Sequence, residues 1–265
     1  MEVIGLILFD IDGVLRDVGN SYRLAVQKTV FHFCGKEPTY KDIDKLKNEG
    51  IWNNDWDLSL ELIKRYKNST KIEIKIPTRK EIIELFEKLY FGCKPSENYS
   101  NWSGFINNEE LLVDQDLFRE LNDNQIKWGF VSGAEIQSAK FLLEEKLKLK
   151  KPPLIAMGDA PDKPNPEGLI KLSKTILSKG FGPNSPPIAY VGDTIADIKT
   201  IINARKTIKN QRFISIAVSP PHLHLNSRSY ERNEYESNLK SAGADYILQS
   251  VNEIKFKHKE IFCRK

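Results

Sequence analysis

Residues 3–9 form an unbroken apolar run of strand length, the pattern of a strand covered on both faces. Runs of the same kind recur at 126–131, 188–191 and 213–218, with a shorter one at 154–157. Between them lie stretches at 115–122, 135–147, 167–177 and 196–204 whose apolar residues repeat at helical spacing. Strands alternating with helices predict an α/β fold built on a parallel sheet.

Residues 17–108 break the alternation. They read as amphipathic helix at 22–33, 58–66 and 79–90, with an ambiguous strand signal at 71–76. Phe31, Phe33, Leu85, Phe86 and Leu89 are the expected core of these helices. A helical segment inserted after the first strand predicts two domains, a core of residues 1–17 and 109–265 and a smaller helical domain of residues 18–108. Such an insert would be poised over the carboxyl end of the sheet, where open α/β sheets bind their ligands. Residues 219–238 are polar and lack clear periodicity, which predicts a long surface loop or an irregular helix.

Composition narrows the function class. The chain of 265 residues is 40% hydrophobic and 29% charged, an ordinary globular balance that excludes disorder as its main state. Its net charge of +4 comes from basic residues spread along the chain, most of them lysine. No compact basic patch with interleaved aromatics is present, so nucleic acid is not an expected partner. Cys34, Cys93 and Cys263 have neither metal-ligand spacing nor the density of a disulfide framework, which points to a reducing compartment. The apolar start lacks a basic leader, and no segment approaches the roughly 20 apolar residues of a membrane span. A cytoplasmic protein without a membrane partner is the expectation.

The candidate chemistry lies where the strands end. The first run ends in Asp10-Ile11-Asp12-Gly13, the second in Ser132-Gly133, and the run at 188–191 in Gly192-Asp193, with Asp197 four residues on. Parallel strands bring those ends together. Carboxylates packed so closely are unfavourable unless a cation or a proton neutralises them, and hard oxygen ligands suit Mg2+. Lys163, in Asp162-Lys163-Pro164-Asn165-Pro166, can supply a fixed positive charge.

Asp10-Ile11-Asp12-Gly13-Val14-Leu15, then Ser132, then Lys163, then Gly192-Asp193-Thr194 with Asp197, resembles the four ordered motifs of the haloacid dehalogenase superfamily of phosphohydrolases. The helical insert resembles, in position and helicity, the C1 cap of its subfamily I, the phosphoglycolate phosphatase-like group. The resemblance implies a Rossmann-like core and a Mg2+-dependent phosphatase that forms an aspartyl-phosphate on Asp10. It implies Asp12 as general acid and base, its backbone carbonyl helping to hold the metal. Ser132 and the backbone N–H groups of Ile11, Asp12 and Gly133 would hold the phosphoryl oxygens, with Lys163 neutralising charge. Asp10, Asp12 and Asp193 would hold Mg2+, and Asp197 would bond to metal-bound water or orient Lys163. Thr194 reads as an ordinary turn or first-helix residue.

Substrate choice falls to the insert. Asn53, Asn54, Asp55 and Trp56, with Asp57 and Trp52 beside them, offer amides, carboxylates and indoles to a sugar or polyol, or else a helix cap with buried indoles. Arg16 and Arg23 flank the hinge and can meet an acidic substrate group, although solvated hinge residues are the simpler expectation. His222 and His224 are spaced i, i+2 and form a weak metal candidate. The expected ligand is a small phosphorylated metabolite: phosphoglycolate, a sugar phosphate, a phosphorylated compatible solute or an amino-alcohol phosphate such as histidinol phosphate. A phosphomutase or phosphotransferase acting on a sugar phosphate is the alternative, and a non-catalytic binding module is disfavoured by the intact motifs. Monomer and homodimer both fit.

Overall fold

The computed structural model describes residues 2–52, 54–69, 75–178 and 180–263. The chain divides into two compact units, one made of residues 1–17 and 111–265 and the other of residues 18–110. Two-residue strands lie where the chain passes between them, β2 (Arg16–Asp17) and β3 (Glu110–Leu111).

The first unit is an α/β layer structure. Its six parallel strands are β1 (Gly5–Phe9), β4 (Ile126–Val131), β5 (Leu154–Ile155), β6 (Ile188–Gly192), β7 (Phe213–Val218) and β8 (Tyr246–Leu248), in the spatial order β5-β4-β1-β6-β7-β8. Its helices are α5 (Leu117–Asp123), α6 (Ile136–Lys140), α7 (Glu167–Leu177), α8 (Ile195–Thr207), α9 (Ser229–Ser241) and α10 (Ile254–Cys263). Successive side chains of β1 point to opposite faces of the sheet. Ile7 and Phe9 join one core cluster with Phe118, Phe130 and Val191, while Leu6 and Leu8 join another with Leu169, Tyr190 and Ile201. That double burial explains the unbroken apolar run. The register sets Phe9 beside Phe130 on one side and Val191 on the other, so the chain leaves β1, β4 and β6 at nearly the same level.

Several elements differ from those the sequence predicts. The helix at 135–147 is α6 followed by a π-helical turn at Phe141–Lys146. The strand at 154–157 is only two residues long. Residues 219–238 hold two 3-10 turns, Pro221–Leu223 and Asn226–Arg228, and then the regular helix α9, which buries Tyr235 and Leu239 one turn apart. β8 and α10 add to the elements predicted from the sequence. Among the described residues no helix is long and apolar enough to cross a membrane.

The second unit is helical: α1 (Tyr22–Cys34), α2 (Tyr40–Asn48), α3 (Asp55–Ser69) and α4 (Arg79–Phe91). Reciprocal capping by Thr39 with Asp42 and by Thr78 with Glu81 starts α2 and α4. Its core differs from the expected set. Of Phe31, Phe33, Leu85, Phe86 and Leu89 only Phe86 is buried, and Phe31 is 49% exposed. The buried stripe of α4 runs through Ile82, Phe86 and Tyr90, four residues apart, and Tyr90 stacks on Tyr22 at 4.1 Å. Most of the ambiguous strand at 71–76 lies outside the described residues.

Candidate active site

Asp10 is the first residue beyond β1, and its backbone N–H donates to Val191 O at 2.8 Å, extending the sheet by one bond. The carboxylate is buried. Its Oδ1 accepts from the backbone N–H of Ile11 at 2.8 Å, and its Oδ2 lies 2.9 Å from Lys163 Nζ. The same ammonium donates to Asp197 Oδ1 at 2.6 Å and to the Tyr190 hydroxyl at 2.9 Å. Lys163 is thus a buried cation shared by two buried carboxylates, with its donors spent on three oxygens.

Asp197 is placed by the start of α8. Thr194 caps that helix, accepting from the Asp197 backbone N–H, while Asp197 Oδ2 accepts from Thr194 N at 2.9 Å and Thr194 Oγ1 at 2.6 Å. One carboxylate therefore closes a capping box with one oxygen and orients Lys163 with the other. Thr194, expected as an ordinary turn or first-helix residue, is the N-cap one position before α8 begins.

Two glycines make the crowding possible. Gly13 has φ +77, and a Cβ there would lie 2.2 Å from Asp193 Oδ2. A Cβ on Gly192 would lie 2.2 Å from Asp197 Cβ. The loop after β1 closes on Asp193 because Gly13 lacks a side chain, and Asp197 packs back against the end of β6 because Gly192 lacks one. As a result, one oxygen each from Asp10, Asp193 and Asp197 lies within 4.8 Å of the others, a cluster of buried carboxylates able to hold a cation. Both oxygens of Asp197 are engaged by Lys163 and Thr194, and both oxygens of Asp10 by the Ile11 N–H and Lys163. Tyr235 of α9 donates to the backbone carbonyl of Asp193 at 3.0 Å and fixes that loop from behind.

The electrostatics follow from burial. Burial pushes the Asp10 carboxyl up to about 6, against the pull of Lys163, and the nearby Asp197 and Asp12 charges push the same way. Burial alone would lower Lys163, yet the charges of Asp10 and Asp197 hold it well above the ordinary lysine value. Burial would likewise raise Asp197, but Lys163 and the Thr194 bonds hold its carboxyl below the usual range. An added divalent cation would relieve the like-charge repulsion that remains.

Asp12 stands two residues beyond Asp10, its side chain 25% exposed, with Oδ1 accepting from Arg16 Nε at 2.7 Å. Ser132 is buried at the end of β4. Its N–H donates to Ile155 O at 2.9 Å and its Oγ accepts from Ala134 N at 3.1 Å. Gly133 follows it, half-buried. The Ile11 N–H, a candidate phosphate donor by resemblance, is directed to Asp10 itself.

The remaining candidates sit elsewhere. Arg16 and Arg23 are not solvated: Arg16 is fully buried, and Arg23, 5% exposed, pairs with Asp44 at 2.7 Å within the second unit. Asn54 accepts from the backbone N–H groups of Trp56 and Asp57 at the start of α3, Asp55 pairs with Lys47 at 2.9 Å, and Trp56 lies under the Arg79 guanidinium. These residues organise the helix start, and Asn53 lies outside the described residues. His224 lines a cavity of about 230 Å³ with Gly13, Val218 and Ser250, and its Nε2 donates to Ser219 O at 3.0 Å.

Sequence reasoning missed two tyrosines. Tyr190 is 1% exposed, and its hydroxyl donates to Val131 O at 2.7 Å while receiving the Lys163 bond. The signal was a phenol inside an apolar strand, which must find a partner when buried. Tyr235 lay in the segment read as loop or irregular helix.

Comparison with known proteins gives the arrangement a family. The model for haloacid dehalogenase-like hydrolases matches residues 4–205. An imidazoleglycerol-phosphate dehydratase of Phytophthora nicotianae is 35% identical over 194 residues, a match covering 72% of this chain and 40% of that protein. The chain therefore spans less than half the length of that curated relative. Among solved structures, a phosphonoacetaldehyde hydrolase-like protein from Oleispira antarctica superposes with a TM-score of 0.70 at 18% identity, over 99% of this chain and 94% of that one. A phosphatase from Thermococcus thioreducens does so with a TM-score of 0.60 at 20% identity, over 96% and 99%. These two likenesses establish the fold, and the sequence match from residue 4 to residue 205, which takes in every motif residue of the buried cluster, establishes that the chain belongs to the haloacid dehalogenase-like hydrolases.

Proposed function

We propose that the protein is a Mg2+-dependent phosphatase of small phosphomonoesters that works through a phosphoryl group carried on Asp10. The observation that carries this reading is the buried cluster in which Asp10 shares Lys163 with Asp197 and stands beside Asp193. A carboxylate is a weak nucleophile toward a phosphate dianion, because the two repel. Lys163 offsets that repulsion at the Asp10 oxygen, and Asp197 and Tyr190 keep the ammonium in place. Asp10 and Asp193, with the backbone carbonyl of Asp12, would hold the divalent ion, whose hard oxygen donor set suits Mg2+. When bound, the ion withdraws charge from the phosphoryl oxygens.

Asp10 attacks phosphorus as the bond to the leaving oxygen breaks, and Asp12 gives its proton to that oxygen. Water then attacks the phosphorus of the Asp10 adduct, Asp12 takes back a proton, and phosphate and free Asp10 are restored. Ser132 and the Gly133 N–H support the phosphoryl group from the β4 side. The name of the Phytophthora relative supports placing imidazole-bearing alcohol phosphates such as histidinol phosphate in a substrate panel beside phosphoglycolate and sugar phosphates.

The test is phosphate release from that panel with Mg2+ and with chelator. Release from at least one compound that falls more than about 100-fold on chelation is expected, the scale set by loss of a metal's charge stabilisation. Equal rates in chelator would overturn the metal-dependent reading. Isomer formed from a sugar 1-phosphate with no net phosphate release would replace the phosphatase with a mutase.

A further inference from the structure

Arg16 is among the largest fully buried side chains of the protein, with no exposed surface. A guanidinium cannot shed its charge, and burying one is costly unless its partners are well placed. Two of its partners lie beside the site, in the loop after β1 and in α6. Its Nε donates to Asp12 Oδ1 at 2.7 Å, and its Nη1 reaches the Ser138 carbonyl of α6 at 3.5 Å. That helix begins at Ile136, three residues beyond Gly133. Glu135, which caps it through the N–H groups of Gln137 and Ser138, also feels the Arg16 charge. The backbone repeats the connection, since Gly13 N donates to Arg16 O and Arg16 N to Ile11 O, folding residues 11–16 into a tight loop around the pair. Among the described residues, Asp12 Oδ2 has no protein partner, and the side chain retains a quarter of its exposure.

We propose that Arg16 is a positioning residue: it grips Asp12 by Oδ1 so that Oδ2 is the oxygen left to move the proton, and it ties the Asp12 loop to α6, the helix that follows β4. The proposal rests on the phosphatase reading and on Asp12 as acid and base. Proton movement to a leaving oxygen demands placement within hydrogen-bond reach, and a carboxylate swinging about its own bonds loses that placement. One charge-assisted bond from a rigid, planar group removes the freedom.

A double-mutant cycle on turnover of an alkyl phosphate tests this, with Arg16→Met, Arg16→Lys, Asp12→Asn and the Asp12→Asn/Arg16→Met pair. Asp12→Asn is expected to lower kcat by about 10²-fold or more, and Arg16→Met by about tenfold or more at nearly unchanged KM. Arg16→Lys is expected to recover part of that loss. In the Asp12→Asn background, Arg16→Met should cost less than about twofold further, because the group it positions is gone. Should Arg16→Met fold poorly by circular dichroism, the same cycle is read with Arg16→Lys. Losses that multiply in the double variant would overturn the positioning role and leave the phosphatase reading standing. An Asp12→Asn enzyme at wild-type rate would overturn the role assigned to Asp12 and this inference with it.

Discussion

Replacing Asp10 by asparagine is expected to reduce phosphate release at least about 10³-fold, the scale of loss when a covalent nucleophile is removed, while leaving a folded protein. The substitution conserves shape. An asparagine Oδ1 still accepts from the Ile11 N–H, and Lys163 keeps its bonds to Asp197 and Tyr190. Lys163 loses one charged partner, but the buried charge whose pKa is raised to about 6 goes with it, so the two effects oppose each other and the metal-free protein is expected to stay folded with little net change in stability at neutral pH. Denaturant unfolding beside a phosphate-release assay checks both halves. A folded variant that retains near-normal turnover would remove Asp10 from the mechanism.

Lys163→Met should have the larger effect on stability. Lys163 is 8% exposed and sits 2.9 Å from Asp10 and 2.6 Å from Asp197. Methionine fills similar space but leaves two buried carboxylates facing each other without a cation, and breaking a buried pair in this way costs about 3–5 kcal/mol. The loss is expected to depend on pH in a fixed direction. Asp10 is already raised to about 6 with Lys163 present, and removing that cation raises it further. A group raised in the folded state imposes no penalty below its unfolded value, near 3.8, and an increasing one as pH rises through its folded value. With Asp197 also losing the cation that holds its carboxyl down, metal-free Lys163→Met protein should approach wild-type stability only at acid pH where both carboxyls are protonated, and fall away from it as pH rises to neutrality. Turnover should drop at least about 10²-fold at neutral pH, since the charge that offsets nucleophile–phosphate repulsion is gone. Urea unfolding in chelator across this range checks the first statement. A destabilisation that grows toward acid would contradict it.

The legible parts of the molecule are those where physics acts locally. β1 and β6 are buried along their whole length and read as apolar runs because both of their faces are covered, and a doubly buried strand has little choice of residue; β4 and β7 keep most of that signal, broken only by the exposed Lys127 and by the buried Ser215. The missed elements lack that pressure. α2 buries only Ile43 and Leu46, and α9 only Tyr235 and Leu239, so each shows two apolar positions where a stripe would need several. α10 carries Phe256 on its outer side at 83% exposure, which blurs the periodicity of Ile254, Ile261 and Phe262. β8 has three residues at the sheet edge.

The site divides along the same line. Asp10, Ser132 and Asp193 were readable because each follows a strand, and the strand register brings their levels together. The burial of Arg16 was not, because an arginine beside a hinge is ordinarily solvated, and only the fold reveals that Asp12 and Ser138 close around it. The partners of Asn54, Asp55 and Trp56 were equally hidden, since a polar cluster before a helix reads the same whether it caps the helix or grips a ligand. Of those two readings the geometry favours the cap for Asn54, which accepts the Trp56 and Asp57 N–H groups.

The central claim is that phosphoryl transfer passes through Asp10. Acid quenching during turnover of the best substrate with Mg2+, followed by peptide mass spectrometry, tests it most directly. The expected result is the mass of one phosphoryl group on the peptide that contains Asp10, absent from the Asp10→Asn protein and lost on further incubation as phosphate appears. Phosphate released at full rate while that peptide remains unmodified at every quench time, or a phosphoryl group found on another residue, would contradict the account.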